Sequence, residues 1–173
     1  AACDFCKNDF LNGNYKNVMA RSFDSLELNK NGYPSLMDFS LDNTCNLECI
    51  MCDASLSSQI ERKTKQPVNI DYKYDNSFLI QLQEFLPHLH STLFTGGEPF
   101  LIDIYYTIWK ELIRVNPKIN IRVTTNGTVL NEKVKNVLKQ CRMNISVSID
   151  SFNKERYENI RLNSKYEAVM QNL

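Results

Sequence analysis

No stretch of the 173 residues stays apolar for the roughly 18 to 20 positions that a bilayer-spanning helix needs, and the opening Ala-Ala-Cys-Asp-Phe-Cys lacks the apolar core of a secretion signal. Neither charge is in excess. The 20 Lys and Arg balance 20 Asp and Glu, so there is no basic footprint for nucleic acid and no polybasic patch for a membrane surface. Histidine is scarce: His88 and His90 precede the second predicted strand, far from the strands' C-terminal ends, and read as structural or solvated. Asn126-Gly-Thr and Asn144-Ile-Ser match the glycosylation triplet, but such matches are common by chance, and clustered free cysteines belong in a reducing compartment. The expected location is cytoplasmic.

What is present divides at residue 34. Residues 1–33 are polar, punctuated by Gly13 and Gly32, and carry Cys3 and Cys6; they read as a lead-in. Residues 34–173 read as the core. There the spacing predicts a strand over 36–41 followed by a long loop, and a helix over 76–87 built on Phe78, Leu79, Leu82, Phe85 and Leu86. A strand over 91–95 and a helix over about 101–115 come next, the latter with a stripe of Ile104, Tyr105, Ile108, Trp109, Leu112 and Ile113. The strand 119–125, a helix capped by Asn131, the strand 144–150 and a helix from about Asn153 complete the series.

Strand and helix alternate four times, which predicts parallel βα units. The later strands each have one polar face: Asn120, Arg122, Thr124 and Asn126 on one, Ser146, Ser148 and Asp150 on the next. A parallel sheet buried on both faces would be apolar on both. An α/β fold of the TIM-like barrel type, with polar groups gathered at the strands' C-terminal ends, accommodates this pattern. Four units do not close a barrel of eight. The expectation is a partial (β/α) barrel, its first four units covered, from a longer protein truncated here on its C-terminal side.

Chemistry concentrates after the first strand. Cys45, Cys49 and Cys52 fall within eight residues, and the nearest other cysteines are Cys6 and Cys141. Structural zinc takes four closed ligands, so a zinc-stabilised, non-catalytic binding module would need a fourth from Cys3, Cys6, Cys141, His88 or His90. A 4Fe-4S cluster held by three thiolates keeps one iron open. Three buried free thiols are the remaining alternative.

Cys45-Asn-Leu-Glu-Cys49-Ile-Met-Cys52, Thr95-Gly-Gly-Glu-Pro99, Thr125-Asn-Gly127 and Ser146-Val-Ser-Ile-Asp150, each following one of the four strands in this order, resemble the radical S-adenosylmethionine (radical SAM) enzymes. The resemblance spans about residues 34–165. It implies that Cys45, Cys49 and Cys52 hold a 4Fe-4S cluster whose open iron is chelated by S-adenosylmethionine. Reduction would then release a 5′-deoxyadenosyl radical that abstracts hydrogen from a substrate. The resemblance further implies that Met51 lies against the adenine, a core side chain being the alternative. Gly96 and Gly97 would admit the ligand closely, and Glu98 would accept from its ammonium. Ser148 and Asp150 would reach the ribose hydroxyls or the methionine carboxylate. Asn126 shares their rim and would meet cofactor or substrate. Arg161 would reach the carboxylate, a solvated helix arginine being its alternative. A reductant such as flavodoxin or ferredoxin is the implied partner.

Cys3-x2-Cys6 fits half a zinc site, a redox pair or two ligands of a second iron-sulfur cluster. Lys7 to Ser22 resembles the segment that joins an auxiliary-cluster region of the SPASM or twitch type to the radical SAM core. An auxiliary cluster implies modification of a peptide or protein side chain. Cys141, on the apolar pattern of a helix end, reads as a core thiol.

Overall fold

Four short parallel strands form a single sheet in the order β1-β2-β3-β4: β1 (Leu36–Phe39), β2 (Ser91–Phe94), β3 (Asn120–Thr125) and β4 (Met143–Val147). Phe39 aligns with Phe94, Phe94 with Val123, and Val123 with Ile145, so the C-terminal ends of all four strands lie along one rim. An open doubly wound sheet reverses its strand order at a switch point. This order does not reverse, which is the winding of a barrel. The fold is therefore α/β, a partial TIM-like barrel. The computed structural model describes residues 2–19, 21, 24, 29–65, 68 and 74–173, without the side chains of Ala2 and Cys3. The side chain of Cys3, expected from the sequence as a ligand, and Ala20 and Ser22 of the joining segment lie outside what is described.

Three crossover helices pack the apolar sides of the strands: α3 (Asn76–Leu82), α4 (Asp103–Val115) and α5 (Glu132–Gln140). The expected stripe of α4 is buried through Tyr105, Ile108, Trp109 and Leu112. It closes on Phe94, which stacks on Phe39 at 4.7 Å and meets Trp109 edge-on at 5.3 Å. Asn131 caps α5 as expected, accepting from Val134 N at 3.0 Å. α3 stops earlier than its spacing suggested. Pro87 supplies no N–H and disfavours helix at the residue before it, so the run continues as a turn and a 3-10 segment, Leu86–His88.

Two helices lie where only loop was expected. α1 (Ala2–Leu11) occupies the lead-in, and α2 (Ser58–Thr64) interrupts the loop after β1. α2 is seven mostly polar residues with no apolar stripe, so periodicity could not reveal it; its start is set by Ser57, whose hydroxyl accepts from Ile60 N and donates to Leu47 O at 2.6 Å. After β4 the chain forms α6 (Lys154–Ile160), capped by Asn153, and α7 (Tyr166–Asn172). Among the described residues no helix is long and apolar enough to cross a membrane.

One core side chain ties the fold to its functional rim. The buried Tyr105 hydroxyl accepts from Leu41 N at 2.9 Å and lies 3.0 Å from Phe39 O and 2.9 Å from Thr95 O, fastening the ends of β1 and β2 to α4. Burial pushes this phenol up to about 12. Tyr105→Phe should orphan the Leu41 N–H and lower stability by about 1–2 kcal/mol, read by urea unfolding. A loss below a few tenths would show that water replaces the hydroxyl.

Candidate functional site

All four motif segments meet at the C-terminal rim because the strands are parallel and in register: the cysteine loop after β1, Gly96-Gly97-Glu98 after β2, Asn126-Gly127 after β3 and Ser148 after β4. Ser148 N donates to Thr125 O at 2.9 Å, extending the β3–β4 pairing by one step.

The cysteine loop is clamped from both sides. Glu48 N donates to Leu162 O and Ile50 N to Ile160 O, a two-rung ladder that fixes the loop against the C-terminal end of α6. On the other side Cys45 N donates to the Ser58 hydroxyl, and Asn43 Nδ2 donates to Ala54 O and Glu61 Oε2. Gly96 and Gly97 pack against this loop's backbone. An added Cβ on Gly96 would stand 2.7 Å from Asp42 O, and one on Gly97 would fall on the Thr44 carbonyl, 2.6 Å from its carbon. The space the glycines leave is therefore taken by the chain's own backbone, where the sequence suggested a ligand.

Cys45, Cys49, Met51 and Cys52 line a cavity of about 190 Å³ together with Gly96, Gly97, Asn126, Ser148 and Arg161. Met51 is 55% exposed, which removes its core alternative. Leu47, Leu56, Thr95, Thr124 and Thr125 also line the cavity and were not singled out in the sequence. Thr125 had a signal: it is the polar end of the otherwise apolar series Ile119, Ile121, Val123.

Glu98 and Asp150 are engaged within the protein. Glu98, 1% exposed, accepts from Phe100 N at 3.2 Å, Thr125 Oγ1 at 2.6 Å and Asn126 N at 2.7 Å, so its carboxylate joins the ends of β2 and β3. Burial raises its pKa against the pull of these donors. Asp150 accepts from Arg161 Nε at 2.6 Å. The Arg161 side chain, only 11% exposed and at the C-terminal cap of α6, is not a solvated helix arginine; its Nη1 lies 4.0 Å from Cys49 Sγ.

Three of the candidate fourth ligands that closed zinc would need lie far from the cysteine loop. Cys141 caps the end of α5 just before β4 begins, and His88 and His90 precede β2, so all three sit at the opposite end of the sheet from the cysteine loop. Cys141 is a buried core thiol, as expected, and burial pushes it to about 11. Among the described residues no three His, Cys, Asp or Glu side chains are placed to hold a single metal ion. Cys45, Cys49 and Cys52 are three soft sulfur donors on one clamped loop, the donor type that iron-sulfur centres take. Burial raises Cys45 and carries Cys49 to about 11, with the Arg161 charge opposing the latter. A metal centre therefore has to displace the thiol protons as it binds.

Comparison with known proteins gives a consistent answer. A GTP 3′,8-cyclase of Clostridium botulinum is 23% identical over 134 residues, 78% of this chain and 40% of the relative. The chain thus spans about two fifths of the length of the curated relatives it matches. Among solved structures, anSMEcpe with bound AdoMet matches with a TM-score of 0.56 at 21% identity, over 79% of this chain and 38% of that one. Its complex with AdoMet and the Cp18Cys peptide matches at 0.54, with the same identity and coverage. BtrN with AdoMet and 2-DOIA matches at 0.52 and 17% identity, over 80% of this chain and 51% of that one. The family model described as the radical SAM superfamily matches residues 40–173, and the chain belongs to that superfamily.

Proposed function

We propose that the protein is a radical SAM enzyme in which Cys45, Cys49 and Cys52 bind a 4Fe-4S cluster and S-adenosylmethionine occupies the adjoining cavity. The observation that carries this reading is the convergence of the three thiols with Gly96, Gly97, Asn126, Ser148 and Arg161 on one cavity at the strand ends. When bound, the cluster supplies the electron that splits S-adenosylmethionine into methionine and a 5′-deoxyadenosyl radical. The chain's own residues do the rest. Met51 offers an exposed thioether to the adenine, Ser148 a hydroxyl to the ribose, and the Arg161 fork a cation to the methionine carboxylate. Asp150 steadies that fork through its 2.6 Å contact. Glu98, buried and outside the cavity's lining, holds the ends of β2 and β3 together beside it.

The substrate we propose is a peptide or protein side chain, with flavodoxin or ferredoxin as electron donor. Support comes from the Cys3-x2-Cys6 spacing in the sequence, which suits two ligands of an auxiliary cluster. The likeness to anSMEcpe in complex with a peptide points the same way.

Anaerobic purification and reconstitution with iron and sulfide should give about four irons per chain, and about eight if the auxiliary cluster forms. Dithionite and S-adenosylmethionine should then yield 5′-deoxyadenosine. One tightly bound zinc without iron, or a full iron load without 5′-deoxyadenosine, would overturn the reading.

A further inference from the structure

Asn126 was expected to meet S-adenosylmethionine or substrate, yet its side chain is committed to the cysteine loop. Its Nδ2 donates to Asn46 Oδ1 at 3.0 Å and lies 3.9 Å from Cys45 Sγ, the outer reach of an N–H···S contact. The amide cannot turn over without loss. Its Oδ1 accepts from both Thr128 N at 2.9 Å and Thr128 Oγ1 at 2.7 Å, so the NH2 end must be the one facing Cys45. Asn46 Nδ2 in turn donates to Thr128 Oγ1 at 2.9 Å, which closes a ring of three polar side chains. The Asn126 backbone is fixed as well, by its bond to Glu98. Cys45 Sγ has a second donor, Leu47 N at 3.5 Å.

Such a ring stabilises the loop, but a closed, orientation-locked amide beside a ligating sulfur has a further consequence. An N–H dipole aimed at a thiolate ligand favours whichever cluster state carries more negative charge, which is the reduced one, and so raises the reduction potential. We propose that Asn126 is a positioning residue that sets the reduction potential of the cluster through Cys45, with Asn46 and Thr128 holding its amide in line. This rests on the cluster reading above. Its chemistry is a one-electron addition to the cluster, the electron coming from an external low-potential reductant, dithionite in the experiment below.

The test is a redox titration of the reconstituted protein without S-adenosylmethionine, followed by the electron paramagnetic signal of the reduced cluster. Asn126→Asp keeps the shape, removes the N–H and sets a carboxylate beside the sulfur. At a fixed potential near the midpoint it should lower the ratio of reduced to oxidised cluster by about tenfold, equivalent to 59 mV for one electron. Asn126→Ala, which removes the donor without adding charge, should shift the ratio less and in the same direction. Thr128→Val, which frees the amide but touches no sulfur, should shift it least. A purely structural role would reduce iron content or thermal stability and leave the potential of the loaded fraction where it was. If Asn126→Asp holds no iron, the other two variants decide. Variants that load about four irons and titrate alongside the wild type overturn this inference alone. A wild type that binds no cluster overturns the reading beneath it.

Discussion

Gly97→Ala should destabilise the protein by about 3 kcal/mol, the upper end for overpacking a site that cannot relax, and should leave it unable to retain iron. The effect follows from what surrounds the missing Cβ. The atoms it would meet are backbone: the Thr44 carbonyl, and Asn43 C at 2.7 Å. Backbone at this point cannot step aside, because Glu98 N donates to Thr44 O at 2.7 Å and Gly97 N to Asp42 O at 3.0 Å, holding the two segments in contact. Any relief pushes Thr44, and with it Cys45, away from β2. Gly13 makes the comparison. Its φ of +74° is left-handed, but nothing lies within 4 Å of an added Cβ, so Gly13→Ala should cost only the backbone term of about 1 kcal/mol. Urea unfolding of the metal-free proteins and iron content after reconstitution read the two effects. A Gly97→Ala protein within 1 kcal/mol of wild type and fully loaded would mean that the loop yields, and that its contact with the glycines does not position the cysteines.

The same contact marks how far the sequence could be read. Alternating strands and striped helices are local patterns, so the four βα units, the Asn131 cap and the helix start near Asn153 were legible from neighbouring residues. The cysteine spacing was local too. Glu98 was legible as a motif residue but its surroundings were not, because its donors Thr125 and Asn126 lie 27 and 28 residues away and only the parallel register of β2 and β3 brings them together. Arg161 was similarly half-visible. Its place beside Cys49 depends on the two backbone bonds between the cysteine loop and residues 160 and 162, which leave no trace in composition or period. Local rules thus gave the four βα units and the cysteine triplet, while the links between strand ends required the fold.

Glu98→Gln should cost about 2–3 kcal/mol at neutral pH although it changes one atom. The carboxylate accepts three donors, two on Oε1 and one on Oε2. Glutamine has one acceptor oxygen. Turned one way its NH2 faces the Asn126 N–H; turned the other, it faces the Phe100 N–H and the Thr125 hydroxyl. Either way a buried donor meets a donor, and a formerly charge-assisted bond is lost. The pH dependence separates this from a generic packing fault. Because burial holds the Glu98 pKa above the ordinary glutamate value, the folded protein binds the proton more tightly than the unfolded chain. The stability linked to that proton is fully present below the unfolded pKa and is lost as pH rises through the folded one. The margin of wild type over the glutamine variant should therefore be widest at the acid end of that window, shrink as pH rises through it, and level off above. Urea midpoints of both metal-free proteins across the window give the slope. A margin that grows with pH would show that the three donors outweigh burial and hold the carboxyl below the ordinary value. Glu98 would then act as a stable anion at the rim, and the tie between β2 and β3 would be strongest where the carboxylate is fully charged.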